Sequence, residues 1–338
     1  MELNIIWFVL IVVLFSGYVV LDGFDLGVGM IHKKAKSDDE RRQMLNSIAP
    51  VWDGNEVWLV TAGGALFAAF PDVYATVFSG FYNAFMLFLL MLIGRAVSIE
   101  FRSKIESKTW RGIWDTVFNV SSYLIALLLG VSLGNIVSGV PVAADKEFAG
   151  SFFGLLHPYA IFLGLTAVAA LRMHGRFYAA FKIGGDLYER IVSNIKLPVF
   201  LFLGFYVILT IWTHAAYPHM TQNFYEYPVW FIVPALVVAA FIYIFIAIKN
   251  EAWFKGFIAS SAIIALSITN VAIGIFPALL ISAPNPENSL TIFNASSSAM
   301  TLSNMLIIAA IGVPLVLVYT FVINKTFRGK VKLDSSSY

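Results

Sequence analysis

Cysteine is absent from the 338 residues, which excludes disulfides, thiolate-bound zinc, iron–sulfur clusters and cysteine nucleophiles together. Charge is scarce as well. Asp, Glu, Lys and Arg make up 12% of the chain and hydrophobic residues 59%, against a charged share of ~25% in an ordinary soluble domain. A chain of this composition is far too apolar for water, so lipid is the solvent for most of it. The longest polar connections, about 138–151, 172–197 and 282–301, are too short for an independent core, so residues 1–338 read as a single integral membrane domain. No internal repeat is visible. The net charge of +2 gives no reason to expect nucleic acid as a partner. The first apolar run lacks a basic flank ahead of it and a small-residue cleavage site, and so reads as a retained span rather than a signal peptide.

What is present is a series of long apolar runs. Crossing the hydrocarbon layer takes ~20 mostly apolar residues. Runs of that order predict an all-α polytopic membrane protein with about nine transmembrane helices packed in bundles. They cover residues 5–31, 56–70, 73–97, 113–137, 152–171, 198–214, 227–248, 254–276 and 302–323. The second is the shortest and opens with carboxylates. Basic residues give an independent test, because they accumulate on cytoplasmic loops. Of the 22 Lys and Arg residues, only Lys146 falls on the other set of loops. This pattern predicts an outer N-terminus and a cytoplasmic C-terminus. The connection from Ser282, with Pro284, Pro286 and a serine run, reads as an irregular outer segment.

Carboxylates inside such runs are costly and normally face a bundle interior, a partner or water. In Asp22-Gly-Phe-Asp25-Leu-Gly-Val-Gly29, Asp22 and Asp25 lie three apart on one helical face, which His32 extends. The pair sits ~9 Å from the cytoplasmic end of its helix at 1.5 Å per residue. Pro50-Val-Trp-Asp53-Gly-Asn-Glu56-Val-Trp-Leu59 brings two further carboxylates, Asp53 and Glu56, to the same side of the membrane. Crowded carboxylates in low dielectric compete for charge and can exchange protons, as a proton relay requires. All four are therefore proton-path candidates. Against this stand plain structural roles: hydrogen bonds between helices, or Asp53 capping a helix that starts near Gly54. The glycines at 17, 23, 27 and 29 fit close helix packing better than phosphate binding, since no strand precedes them.

Arg95, in Gly94-Arg-Ala-Val-Ser-Ile-Glu100-Phe-Arg102, either snorkels to the surface or pairs with a buried carboxylate. Glu100 and His32 are the other candidate charge partners. Glu100 and Arg102 otherwise mark the membrane interface. Each of the histidines at 32, 157, 174, 214 and 219 is by residue type a candidate haem ligand, but no metal-site spacing joins them. Only His157 lies clearly within a predicted span, while His32 and His174 fall at inner edges. No metal ligand is assigned.

The two carboxylate segments, followed by Arg95 and Glu100-Phe101-Arg102, resemble in order and spacing the signatures of subunit II of the cytochrome bd family of quinol oxidases. The resemblance covers essentially the whole chain. It implies a two-part complex in the bacterial cytoplasmic (inner) membrane. In it a larger subunit I carries b-type and, in part of the family, d-type haems, oxidises quinol, reduces oxygen to water and generates proton motive force. It further implies that this chain supplies no haem ligand and supports subunit I. It also implies that the chain helps conduct protons from the cytoplasm, with Asp22 and Asp25 matching the family's acidic pair. Lipid, the quinone pool and a small single-span accessory subunit complete the expected partners. Two rivals stand beside it. A proton-coupled secondary transporter would show an inverted repeat or a broken helix pair at the midplane. A purely structural subunit would bury the same acids in interhelical hydrogen bonds.

Overall fold

The structure, a computed structural model, describes residues 2–333. Thirteen α-helices follow one another in chain order: α1 (Leu3–Ile31), α2 (Asp38–Ile48), α3 (Trp52–Ala69), α4 (Pro71–Gly80), α5 (Tyr82–Phe101), α6 (Lys108–Ser138), α7 (Pro158–Lys182), α8 (Gly185–Val192), α9 (Lys196–Ala216), α10 (His219–Glu226), α11 (Ile232–Lys249), α12 (Trp253–Ile275) and α13 (Ala299–Thr326). The one sheet among the described residues pairs β1 (Ala278–Leu280) antiparallel with β2 (Leu290–Thr291). The chain is an all-α polytopic membrane protein. Seven helices, α1, α5, α6, α9, α11, α12 and α13, are long and apolar enough to cross a membrane. The second and fifth predicted spans correspond to α3 and α7, whose acidic, basic and histidine residues lower their hydropathy.

α1 is the hub, packing on α3, α6, α7 and α12. Its glycines allow this. A Cβ on Gly27 would fall 2.2 Å from the Leu171 carbonyl oxygen and 2.6 Å from the Gly175 Cα, and one on Gly29 would fall 2.0 Å from Ser122 Oγ. The backbones of α1 and α7 therefore touch where neither carries a side chain, the small-residue packing that membrane helices use. The ring of Trp58 on α3 lies over Gly17 in the same way. Asn119 on α6 donates to the carbonyls of Gly29 and Met30 at 2.8 and 3.0 Å.

Several predicted boundaries are corrected. The third span, expected over 73–97, is two helices that break at Phe81. Gly80 leaves room at the break for Phe148, which a Cβ would meet at 2.5 Å, and Asp72 and Thr76 tie α4 to Lys146. The fifth span, expected over 152–171, starts at Pro158 and continues to Lys182. His157 caps it from outside rather than lying within it, accepting from the Ala160 N–H at 3.4 Å. The helix continues because its polar residues find partners. Arg176 donates through Nε to the Ile191 carbonyl at 2.5 Å and also reaches the Ser193 carbonyl. α3 starts at Trp52, with Val51 as its cap residue, so Asp53 lies in the first turn and does not cap it.

The segment after α12 is more ordered than an irregular loop. Leu280, Leu290, Ile292 and Ala295 are buried in a core shared with Trp7, Phe8 and Ile11 of α1. Ser297 closes the end of α3, donating through its N–H to the Ala69 carbonyl at 2.9 Å and through its hydroxyl to that of Ala68 at 2.6 Å. These terminal carbonyls have no partner within their own helix. The segment is a cap over the end of the bundle opposite the basic residues.

Candidate functional site

Burying an arginine in a helix bundle is costly unless acceptors surround it. Arg95 on α5 is fully buried, and its Nη2 donates to Asp22 Oδ1 and to Glu56 Oε1, each at 2.5 Å. Asp22 comes from α1 and Glu56 from α3, so one guanidinium joins three helices. Asp25, one turn along α1 from Asp22, accepts from the side-chain amide of Asn55 at 2.8 Å. The same amide lies 3.3 Å from the Leu21 carbonyl. The cluster therefore sets three carboxyl groups against one guanidinium. Asp22 and Asp25 are 0% exposed, whereas the Glu56 side chain is 25% exposed and forms the open edge.

Of the predicted site residues, the structure brings Asp22, Asp25, Glu56 and Arg95 together. Asp53 is exposed on α3, one turn from Glu56 and nearer the basic end. Glu100 is half-buried on α5; five residues from Arg95, it is rotated by ~140° around the helix. His32 does not extend the Asp22–Asp25 cluster, because its Nε2 is drawn 2.7 Å from Asp115 Oδ1 on α6. Arg102, expected at the interface, is buried in that second cluster. It donates through Nε to Asp115 at 2.7 Å and through Nη2 to Asp38 at 2.8 Å. Arg41 reaches Asp115 and Arg111 reaches Asp38, both at 2.8 Å. This network ties α2, α5, α6 and the end of α1 into a lid at the basic end.

α2 is held to the lid from its other side. Its N-terminus carries a capping box in which Ser37 and Glu40 satisfy each other's backbone N–H groups, and Glu40 also pairs with Arg190. Burial raises the Glu40 carboxyl, but the Lys36 and Ser37 N–H groups and the Arg190 guanidinium outweigh it and hold it below the ordinary glutamate range.

Sequence reasoning missed Asn55, Asp115 and Tyr18, and misplaced His174. Asp115 stood inside the fourth predicted span, so counting every carboxylate in every span would have found it. Asn55 lay within the quoted motif but carries no charge. His174, expected at an inner edge, is fully buried within α7, with Nδ1 2.7 Å from Ser260 Oγ and Nε2 3.0 Å from the Val20 carbonyl. Nor do the histidines converge. The ring nitrogens of His174 are both engaged, as are Nε2 of His32 with Asp115 and Nε2 of His219 with the Val137 carbonyl. Among the described residues no group of three or more His, Asp and Glu is placed to hold a metal ion.

The comparisons with known proteins agree with one another. Residues 3–327 match the family model of cytochrome bd terminal oxidase subunit II. The chain is 37% identical over 351 residues to cytochrome bd-I ubiquinol oxidase subunit 2 of Escherichia coli K12, covering 94% of this chain and 92% of that one. It is 33% identical to cytochrome bd ubiquinol oxidase subunit 2 of Bacillus subtilis, covering 94% and 93%. A chain of the bd oxidase from Geobacillus thermodenitrificans has the same fold, with a TM-score of 0.76 at 18% identity over 97% of this chain and 99% of that one. With the family model matching nearly the whole chain and relatives above 30% identity covered over more than nine-tenths of their length, the chain belongs to the cytochrome bd terminal oxidase subunit II family.

Proposed function

We propose that this chain is the haem-free second subunit of a bd-type quinol oxidase in the bacterial inner membrane, and that its buried acids conduct protons from the cytoplasm. In this reading the larger subunit I holds the haems, oxidises quinol and reduces oxygen. This chain supports that subunit, with its N-terminus outside and its basic end in the cytoplasm. The observation that carries the proton role is the buried cluster of Asp22, Asp25 and Glu56 around Arg95. Four ionisable groups at one membrane depth mark a proton or ion route by default. Glu56 at its open edge and Asp53 beyond it provide the inlet. Asp53 and the open edge of Glu56 lie on a face of α3 that also presents Val57, Val60 and Phe67. A carboxylate on such a face fits cover by a protein partner better than by lipid.

The test uses the intact two-subunit oxidase. Asp25→Asn keeps the size and the Asn55 contact but removes the exchangeable proton. Oxygen consumption is expected to fall ~10-fold or more, in the range of a lost acid–base group, with the reduced-minus-oxidised haem spectrum intact. Unchanged turnover removes Asp25 from the path. The transporter reading finds no support in the family relationships, and the purified complex separates the two, since a colourless single species would contradict an oxidase.

A further inference from the structure

A carboxylate passes a proton only through a hydrogen bond whose partner exchanges protons. Every direct hydrogen bond in the central cluster fails this requirement. Asp22 and Glu56 are held by Arg95, which stays protonated, and Asp25 is held by the amide of Asn55, which does not ionise. These contacts hold the acids in place and give a proton nowhere to go. The exchange has to run through the atoms they leave free. Those are Asp22 Oδ2, Asp25 Oδ1, Arg95 Nε and Nη1, and the hydroxyl of Tyr18, all buried and without a hydrogen-bond partner among the described residues.

Tyr18 is the only exchangeable O–H in this set. It is 0% exposed and lies one helical turn from Asp22 on the same face of α1, on the side away from the basic end. The charged groups of Asp22, Arg95 and Glu56 all lie within electrostatic reach of its hydroxyl. Beyond it the packing is apolar, formed by Leu14, Trp58 and Ala62. A buried phenol without a partner is destabilising, a cost that an apolar side chain of the same shape would avoid. Two free carboxylate oxygens, two free guanidinium nitrogens and one phenol also form a set of acceptors and donors that bridging water satisfies.

Building on the proton role proposed above, we infer that the Tyr18 hydroxyl, with bridging water, is the proton-transfer group that connects Asp22 to the rest of the cluster. The phenol gives its proton to the free oxygen of Asp22 while taking one from the bridging water, which regains a proton from the protonated carboxyl of Asp25 or Glu56, or the same sequence runs in reverse. One O–H bond breaks as another forms at the same oxygen, so a proton is carried forward, no electron moves and no tyrosinate accumulates.

Tyr18→Phe in the intact oxidase keeps the ring and its packing and removes only the O–H. Expected are a fall in oxygen consumption of about 10-fold, a larger solvent deuterium isotope effect than the wild type, an unchanged haem spectrum and an unchanged KM for quinol. Wild-type turnover and isotope effect in this variant, with Asp22→Asn and Asp25→Asn both slow, overturn the role of Tyr18 and leave the acid path standing. If all three variants turn over normally, both readings fall. A second measurement needs no variant. The redox difference infrared spectrum of wild-type oxidase carrying ring-deuterated tyrosine should show a shifted phenol band, and its absence also overturns the inference.

Discussion

At the residue scale, Arg95 is the position with the most at stake, because it is the one cation among three carboxyl groups. Removing one partner of a buried charge network costs ~3–5 kcal/mol, since the groups left behind cannot regain water. Arg95→Gln is therefore expected to lower the temperature at which the holo-complex loses its haem absorbance. Arg95→Lys, which keeps the charge, should lower it less, and adding Asp22→Asn to Arg95→Gln should recover part of the loss. A melting temperature unchanged in Arg95→Gln would contradict the burial. Asp22, Asp25 and Arg95 were legible from sequence because a charge inside an apolar run is conspicuous whatever the fold. Their pairing was less so, since Arg95 lies 73 positions from Asp22. The roles of Asn55, Tyr18 and His174 were not legible, because an uncharged polar side chain does not announce its partner and only tertiary packing supplies one.

At the element scale, the contact between α1 and α7 rests on two glycines facing each other. Gly27→Ala drives a methyl group into backbone atoms of α7, which cannot swing aside as a side chain can. The expected loss is ~1–3 kcal/mol or more, read as reduced assembly and an earlier thermal transition. Gly204→Ala on α9, where a Cβ meets nothing within 4 Å, should be neutral or slightly stabilising by ~0.5–1 kcal/mol. Equal effects at the two sites would refute the packing argument. The docking of α2 makes a prediction in pH. Because the Glu40 carboxyl is held low in the folded state, its contribution is fully present above the ordinary glutamate value of about 4.3 and is lost as pH falls through its lower folded value. Limited proteolysis of the 33–50 segment should therefore accelerate in acid. In Glu40→Gln it should be faster at neutral pH and change less with acidification. Helix positions were largely legible because length and apolarity are local properties. The break at Phe81 and the extension of α7 to Lys182 were not, since the first depends on room for Phe148 and the second on acceptors in the last turn of α8 and just beyond it.

At the scale of the whole molecule, the distribution of charge orients everything argued above. One end carries the lid of Asp38, Arg41, Arg102, Arg111 and Asp115. The other carries the capping segment and Lys146, the one basic residue placed there by the loop pattern. Lys146 is not an exception to the charge rule in energetic terms, since Asp72 accepts from it at 2.5 Å and neutralises it locally. If the basic end lies in the cytoplasm, Asp53 and Glu56 face the cytoplasmic proton supply and Tyr18 lies on the far side of the cluster. If it lies outside, the same residues would draw protons from the wrong side and the proposed path would have no source. The absence of cysteine makes this directly measurable, because every introduced thiol is the only one in the chain. Glu106→Cys at the basic end and Glu147→Cys at the other replace exposed acidic residues, so neither change removes a basic residue. In right-side-out vesicles of the intact oxidase, a membrane-impermeant maleimide should label Cys at 147 and leave Cys at 106 unlabelled. Inverted vesicles should give the opposite result. Labelling of position 106 from outside would invert the topology and remove the cytoplasmic inlet with it.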